Sequence, residues 1–116
     1  MLTNKYDLEE RTQEFALKIR RLAKKISLSI GNVQDVKQLI RSSGSVAANY
    51  IEANEALSKK DFIMRIKICR KEAKESILWL KLLDISGKTL KPERDTLMQE
   101  GTELMKIMSV IMRKSI

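Results

Sequence analysis

Histidine is absent from this chain of 116 residues, and with it the commonest general base and the commonest transition-metal ligand. Cys69 is the sole cysteine, so no intramolecular disulfide can form. Proline occurs once, glycine four times, and aromatic residues make up 4% of the sequence, which disfavours a turn-rich sandwich or barrel and suits long helices. No run approaches the roughly 18 consecutive apolar residues that span a bilayer, and the N-terminus MLTNKYDLEE lacks the apolar core of a signal peptide. These absences lead to the expectation of one domain over residues 1–116, cytoplasmic, with no membrane contact, no metal or cofactor and no enzymatic role.

What the chain does have is charge and helical rhythm. Charged residues make up 33%, and 23 Lys and Arg against 15 Asp and Glu leave a formal charge of +8. Apolar residues at alternating steps of three and four mark amphipathic helices. Phe15, Ile19, Leu22 and Ile26 define a first helix over residues 8–28, with Asp7 and Glu10 as its capping box. Val33, Val36, Ile40, Ser43, Ala47, Tyr50, Asn54 and Leu57 define a second over 33–57, after a break at Gly31 and Asn32. Phe62, Ile66, Cys69, Ala73, Ser76, Leu80 and Leu83 define a third over 59–85, capped by Ser58 at its start and by Gly87 beyond its end. Pro92 opens a fourth over 92–114, with Leu97, Gly101, Leu104, Met108 and Ile111 facing inward. Four such helices joined by short connections predict an all-α, antiparallel up-down-up-down four-helix bundle.

Residues left over once the core stripes are assigned carry the functional signal. Met64, Ile68 and Trp79 flank the third stripe, and Met98 and Met105 stand seven apart beside the fourth. They read either as a wide core stripe with methionine filling gaps or as an interface between subunits, anchored by Trp79. Gly44 in mid-helix costs about 1 kcal/mol against alanine, so a close approach by a neighbouring backbone is expected there. Asn49, Glu52 and Asn54 are expected to bond neighbouring helices or helix ends. Arg20, Arg21, Lys24 and Lys25 crowd the last turns of the first helix, where the macrodipole favours cations. Lys67, Arg70, Lys71 and Lys74 lie in the middle of the third, where the dipole offers little. Glu72 and Glu75 can offset part of that line, for example by pairing Lys71 with Glu75 at i, i+4. No aromatic side chain is interleaved with the lysines, so contact with a phosphate backbone is expected rather than base stacking.

The segment from Gln38 to Leu83 resembles the four-helix-bundle family encoded in bacterial large-subunit rRNA intervening sequences, itself related to the accessory variability proteins of diversity-generating retroelements. The resemblance is carried by Arg41, Ser45, Asn49, Ile51 and Glu52, followed by Ser58, Lys60, Phe62 and the stretch from Glu75 to Leu83. A glycine commonly follows the acidic residue in that family, whereas Ala53 and Asn54 follow Glu52 here. The resemblance implies a homopentameric assembly and, through the retroelement relatives, a basic surface that binds nucleic acid and a reverse transcriptase. The combined expectation is an oligomeric accessory protein that binds RNA or DNA through Lys67, Arg70, Lys71 and Lys74, with Arg20, Arg21, Lys24 and Lys25 secondary. A protein-interaction scaffold with no nucleic-acid role is the alternative.

Overall fold

The computed structural model describes residues 5–116, with side chains from Leu8 onward. Four helices follow one another: α1 (Lys5–Ala23), α2 (Ile30–Asn54), α3 (Lys59–Leu82) and α4 (Leu90–Ser115). Each packs on two neighbours, α1 and α3 both touching α2 and α4, while the backbones of the diagonal pairs α1/α3 and α2/α4 stay more than 8 Å apart, Cα to Cα, among the described residues. The result is the expected four-helix bundle, about 45 Å along its long axis.

Three of the four stripes follow the sequence rhythm. Phe15, Ile19, Leu22 and Ile26 are buried, as are Ile66, Cys69, Ala73, Ser76 and Leu80 on α3 with Leu83 just beyond its end, and Leu97, Gly101, Leu104 and Met108 on α4. On α2 the line is wider and shifted. Leu39, Ser42, Val46 and Ala53 join Ser43, Ala47 and Tyr50 in the interior, whereas Leu57 is fully exposed at 101%. The shift follows from α2 serving two partners through small side chains. Ser42 Oγ and Ser76 Oγ lie 2.7 Å apart in the interior, and Ser76 Oγ also donates to Glu72 O at 2.9 Å, so both hydroxyls are satisfied where α2 and α3 close on each other.

Helix ends depart from the sequence expectation for local reasons. Helix α1 already runs from Lys5, so Asp7 lies within the helix and not at its N-cap. It stops at Ala23, five residues early. Lys25 N donates to Leu22 O and Ile26 N to Ala23 O, tightened turns that still deliver Ile26 to the core. Gly31 and Asn32 do not break the second helix but belong to its first turn. Ser29 is the N-cap, its extended backbone placing Oγ to accept from Asn32 N at 3.1 Å. The buried Asn32 amide donates to Ser27 O at 3.0 Å and Asp84 O at 2.9 Å, and its carbonyl accepts from Asp84 N at 2.9 Å. One side chain thus ties the α1–α2 connection to the segment leaving α3. Ser58 caps α3 as expected, accepting from Asp61 N at 3.0 Å. Gly87 has the expected positive φ of 107°, but it turns the α3–α4 connection five residues beyond Leu82 and does not cap the helix. Pro92 falls in the first turn of α4, where no N–H is missed.

The glycine expectation is also corrected. The nearest neighbour to a Cβ at Gly44 would be Arg20 Nη2 at 3.5 Å, an ordinary contact with a flexible side chain and not a backbone. The close approach is at Gly101, where a Cβ would stand 3.0 Å from Ile77 Cγ1 of α3 and 3.5 Å from Phe15 Cζ of α1. Cys69, buried against α2 with its thiol 3.5 Å from Val46 O, has its thiol pKa pushed up to about 12, chiefly by desolvation.

Three outcomes are expected. Gly44→Ala raises stability by about 0.5–1 kcal/mol in urea titration, while Gly101→Ala gains less or loses because Ile77 must shift; equal gains would contradict this packing. Asn32→Ala lowers stability by roughly 1–3 kcal/mol, since the buried groups it serves lose their partner. Cys69 resists alkylation in the native protein at pH 8 and reacts only on unfolding. Because its folded pKa lies above the unfolded value, that contribution to stability is complete below about pH 8.5 and declines as pH rises toward 12.

Candidate nucleic-acid interface

The inward line of α3 fixes what its opposite side presents. With Ile66, Cys69, Ala73, Ser76 and Leu80 in the core, Lys67, Lys71, Lys74 and Lys81 project outward and are exposed. Arg70 is half-buried. It stands seven residues before Ile77, which meets Gly101, and so lies on the edge of α3 that faces α4. The outward face is not purely basic: Met64 is 50% exposed, and Leu78 and Leu82 are exposed beside the lysines.

Lys67, Arg70, Lys71 and Lys74 have no carboxylate within 4.0 Å among the described residues. The expected pairing of Lys71 with Glu75 does not form, and the reason lies on α2. Arg41 Nη1 donates to Glu72 Oε2 at 3.0 Å, Arg41 Nη2 to Glu75 Oε1 at 2.8 Å, and Arg41 Nε to Gln38 Oε1 at 3.1 Å. Glu72 is only 6% exposed, and a carboxylate so far from water is costly unless a cation and hydrogen bonds meet it. The Arg41 guanidinium supplies both, and its hydrogen bond to Glu72 is the largest of the effects that hold it protonated above its ordinary range. Both carboxylates of mid-α3 are therefore drawn toward α2, away from the lysines.

The first-helix cluster has a different fate. Arg21 pairs with Glu14 at 3.1 Å and Lys25 with Glu93 of α4 at 3.0 Å, while Arg20 Nη1 donates to Ala16 O at 3.2 Å and its other end lies against Gly44. Lys24 is exposed with no carboxylate partner among the described residues. Since α1 and α3 are diagonal, their outward faces point to opposite sides of the bundle. The two basic clusters expected from the sequence are not brought together in one chain.

The polar residues of α2 mostly serve packing. Asn49 donates to Ser45 O at 3.0 Å and accepts from Arg65 Nη1 of α3 at 3.0 Å, and Asn54 donates to Glu9 Oε1 of α1 at 2.8 Å. Glu52 stays exposed. Among the residues expected at a subunit interface, Trp79 and Met98 are half-buried and pack on the core, and Ile68 and Met105 are half-buried. The Trp79 indole N–H is buried without a partner. Arg11, which the sequence reading missed, clamps α1 to α4: its Nε and Nη2 reach the two oxygens of Glu100 at 2.7 and 2.8 Å, and Nη2 also reaches Glu103 at 3.0 Å. Nothing local marks Arg11, because its partners lie 89 and 92 residues away.

No helix is long and apolar enough to cross a membrane, and no three His, Cys, Asp or Glu side chains converge as a metal site among the described residues. No curated protein matches the chain. A solved structure is similar: a protein of unknown function from the S23 ribosomal protein family of Bacteroides thetaiotaomicron, 30% identical, aligned over 90% of this chain and 97% of that one with a TM-score of 0.75. The family model of the 23S rRNA-intervening sequence proteins matches residues 4–110, and the chain belongs to that family.

Proposed function

We propose that the protein is a non-enzymatic, oligomeric accessory protein that meets the phosphate backbone of RNA or DNA with the outward face of α3. The observation that carries this reading is the set of cations without carboxylate partners at Lys67, Arg70, Lys71 and Lys74, on a helix whose own Glu72 and Glu75 are engaged elsewhere. Mid-helix cations gain little from the macrodipole, and lysines left unpaired beside one another repel. A polyanion relieves that repulsion and releases its own counterions on binding. Repetition of the face in a homo-oligomer, a pentamer by the resemblance above, multiplies the contacts. Trp79 packs on the core, so base stacking has no platform on this face and recognition rests on the backbone.

Filter binding at about 50 and 200 mM salt tests the reading; four phosphate contacts per chain imply a fall in affinity of about a hundredfold or more between the two. Charge reversal at Lys67, Lys71 and Lys74 weakens binding alike for all sequences. Absence of binding at low salt, or binding indifferent to salt, would overturn it, and light scattering that gives a monomer at micromolar concentration would remove the oligomer.

The exposed Met64, Leu78 and Leu82 on the same face favour a second reading, a protein-interaction scaffold in which positive charge serves solubility. Because Trp79 packs on the core, Met64→Gln with Leu82→Gln, which adds no carboxylate beside Lys67, is the cleaner test than a change at Trp79. A scaffold loses its assembly and its partner in that variant, while backbone binding by the lysines persists.

A further inference from the structure

Arg41 stands on α2, outside the basic line, yet it decides where the negative charge of α3 lies. Its fork holds Glu72 at 3.0 Å and Glu75 at 2.8 Å. Lys71 and Glu75 share a face of α3 at i, i+4, a spacing at which an unrestrained pair forms in isolated helices. Here Glu75 turns from Lys71 to Arg41, because a planar guanidinium binds two carboxylates with fixed geometry where an ammonium offers a mobile point charge. We propose that Arg41 is a positioning residue for the α3 face: by fastening Glu72 and Glu75 on the α2 side it keeps Lys71 open to phosphate. The proposal rests on the nucleic-acid reading above. In it Arg41 touches no phosphate and acts through Glu75.

Glu72 shapes the experiment. It is buried, one of its oxygens already lacks a partner, and removing Arg41 alone strands its charge. The working variant is therefore Arg41→Gln/Glu72→Gln, which leaves no buried carboxylate uncompensated and keeps the parent's formal charge of +8. Glu75 is then free to fold onto Lys71. Lys18→Gln, an exposed site on α1, the helix diagonal to α3, controls for loss of one positive charge.

With a labelled single-stranded RNA and a duplex DNA of arbitrary sequence as probes, the double variant is expected to bind about 1.4- to 2.3-fold more weakly per engaged chain, with a shallower salt slope. Adding Glu75→Gln restores affinity, and by a larger factor than the same change makes in the parent, because only in the variant does Glu75 occupy Lys71. Lys18→Gln has a smaller effect on the slope. Side-chain NMR of Lys71 reads the pairing directly, its Nζ resonance shifting in the double variant and reverting when Glu75→Gln is added. Unchanged binding, or a Glu75→Gln gain equal in both backgrounds, would overturn the role of Arg41. Should the parent bind neither probe, the nucleic-acid reading falls by itself, and an unmoved Lys71 resonance would then dismiss the positioning role as well.

Discussion

A carboxylate buried between two helices needs a cation, and in this bundle one guanidinium meets that need. Glu72 faces the α2–α3 seam one turn from the Ser42–Ser76 hydroxyl pair, where the helices approach through small side chains. Without Arg41 the charge at Glu72 would be stranded where little water reaches it, a situation worth about 3–5 kcal/mol for a fully buried pair and less here, where the Arg41 side chain is 47% exposed. The same fork reaches Glu75, so a contact that secures the fold also sets the electrostatics of the outer surface. Lys71 remains without a partner because Glu75, the one acid at helical pairing distance from it, is held at Arg41, while Lys67 and Lys74 have no acid three or four residues away on α3.

The contrast with α1 shows that composition alone does not make a binding face. Both helices carry clustered Lys and Arg, but α1 forms the thinner seam with α4 and closes it by charge. Arg11 spans Glu100 and Glu103, and Lys25 reaches Glu93, so acidic groups of α4 are spent on holding α1. These pairs are partly exposed and individually modest. Their number along one seam, and the near-bidentate geometry at Arg11, give them their structural role.

How much of this could be read from the sequence depends on how local the deciding interaction is. The stripes of α1, α3 and α4 are legible because large apolar side chains recur on one side of each helix, and burial follows them. Helix α2 is less legible: Ser42, Ser43, Ala47 and Ala53 give no amplitude to a hydrophobic pattern, and Leu57 keeps the rhythm although Ser58 must be extended to cap α3. Asn32 looks like a helix breaker until the backbone of Asp84, 52 residues away, is brought beside it. Gly44 looks like a packing glycine because its neighbours are small, yet the tight contact belongs to Gly101, where side chains of two other helices converge. In the candidate site the lysines themselves are visible in the sequence, but whether Lys71 is free is decided at Arg41, which stands 31 and 34 residues from the two carboxylates it holds.

The outward face of α3 combines exposed aliphatic side chains with lysines, and the two make different demands on an assembly. Burying Met64, Leu78 or Leu82 against another subunit is favourable, whereas taking an unpaired ammonium out of water is costly. Lysine reconciles these demands by laying its methylene stem over apolar neighbours while its head stays in water. Under the proposed function, subunits that met over Leu78 and Leu82, at one end of the line, would therefore leave the Lys67, Lys71 and Lys74 heads beyond the contact, still hydrated. Copies of the line would then run beside each interface as separate basic ridges. Such ridges suit a polyanion tracked along its backbone rather than one read at its bases, because each offers the same charges at the same spacing and none offers a donor pattern that differs from one base to the next.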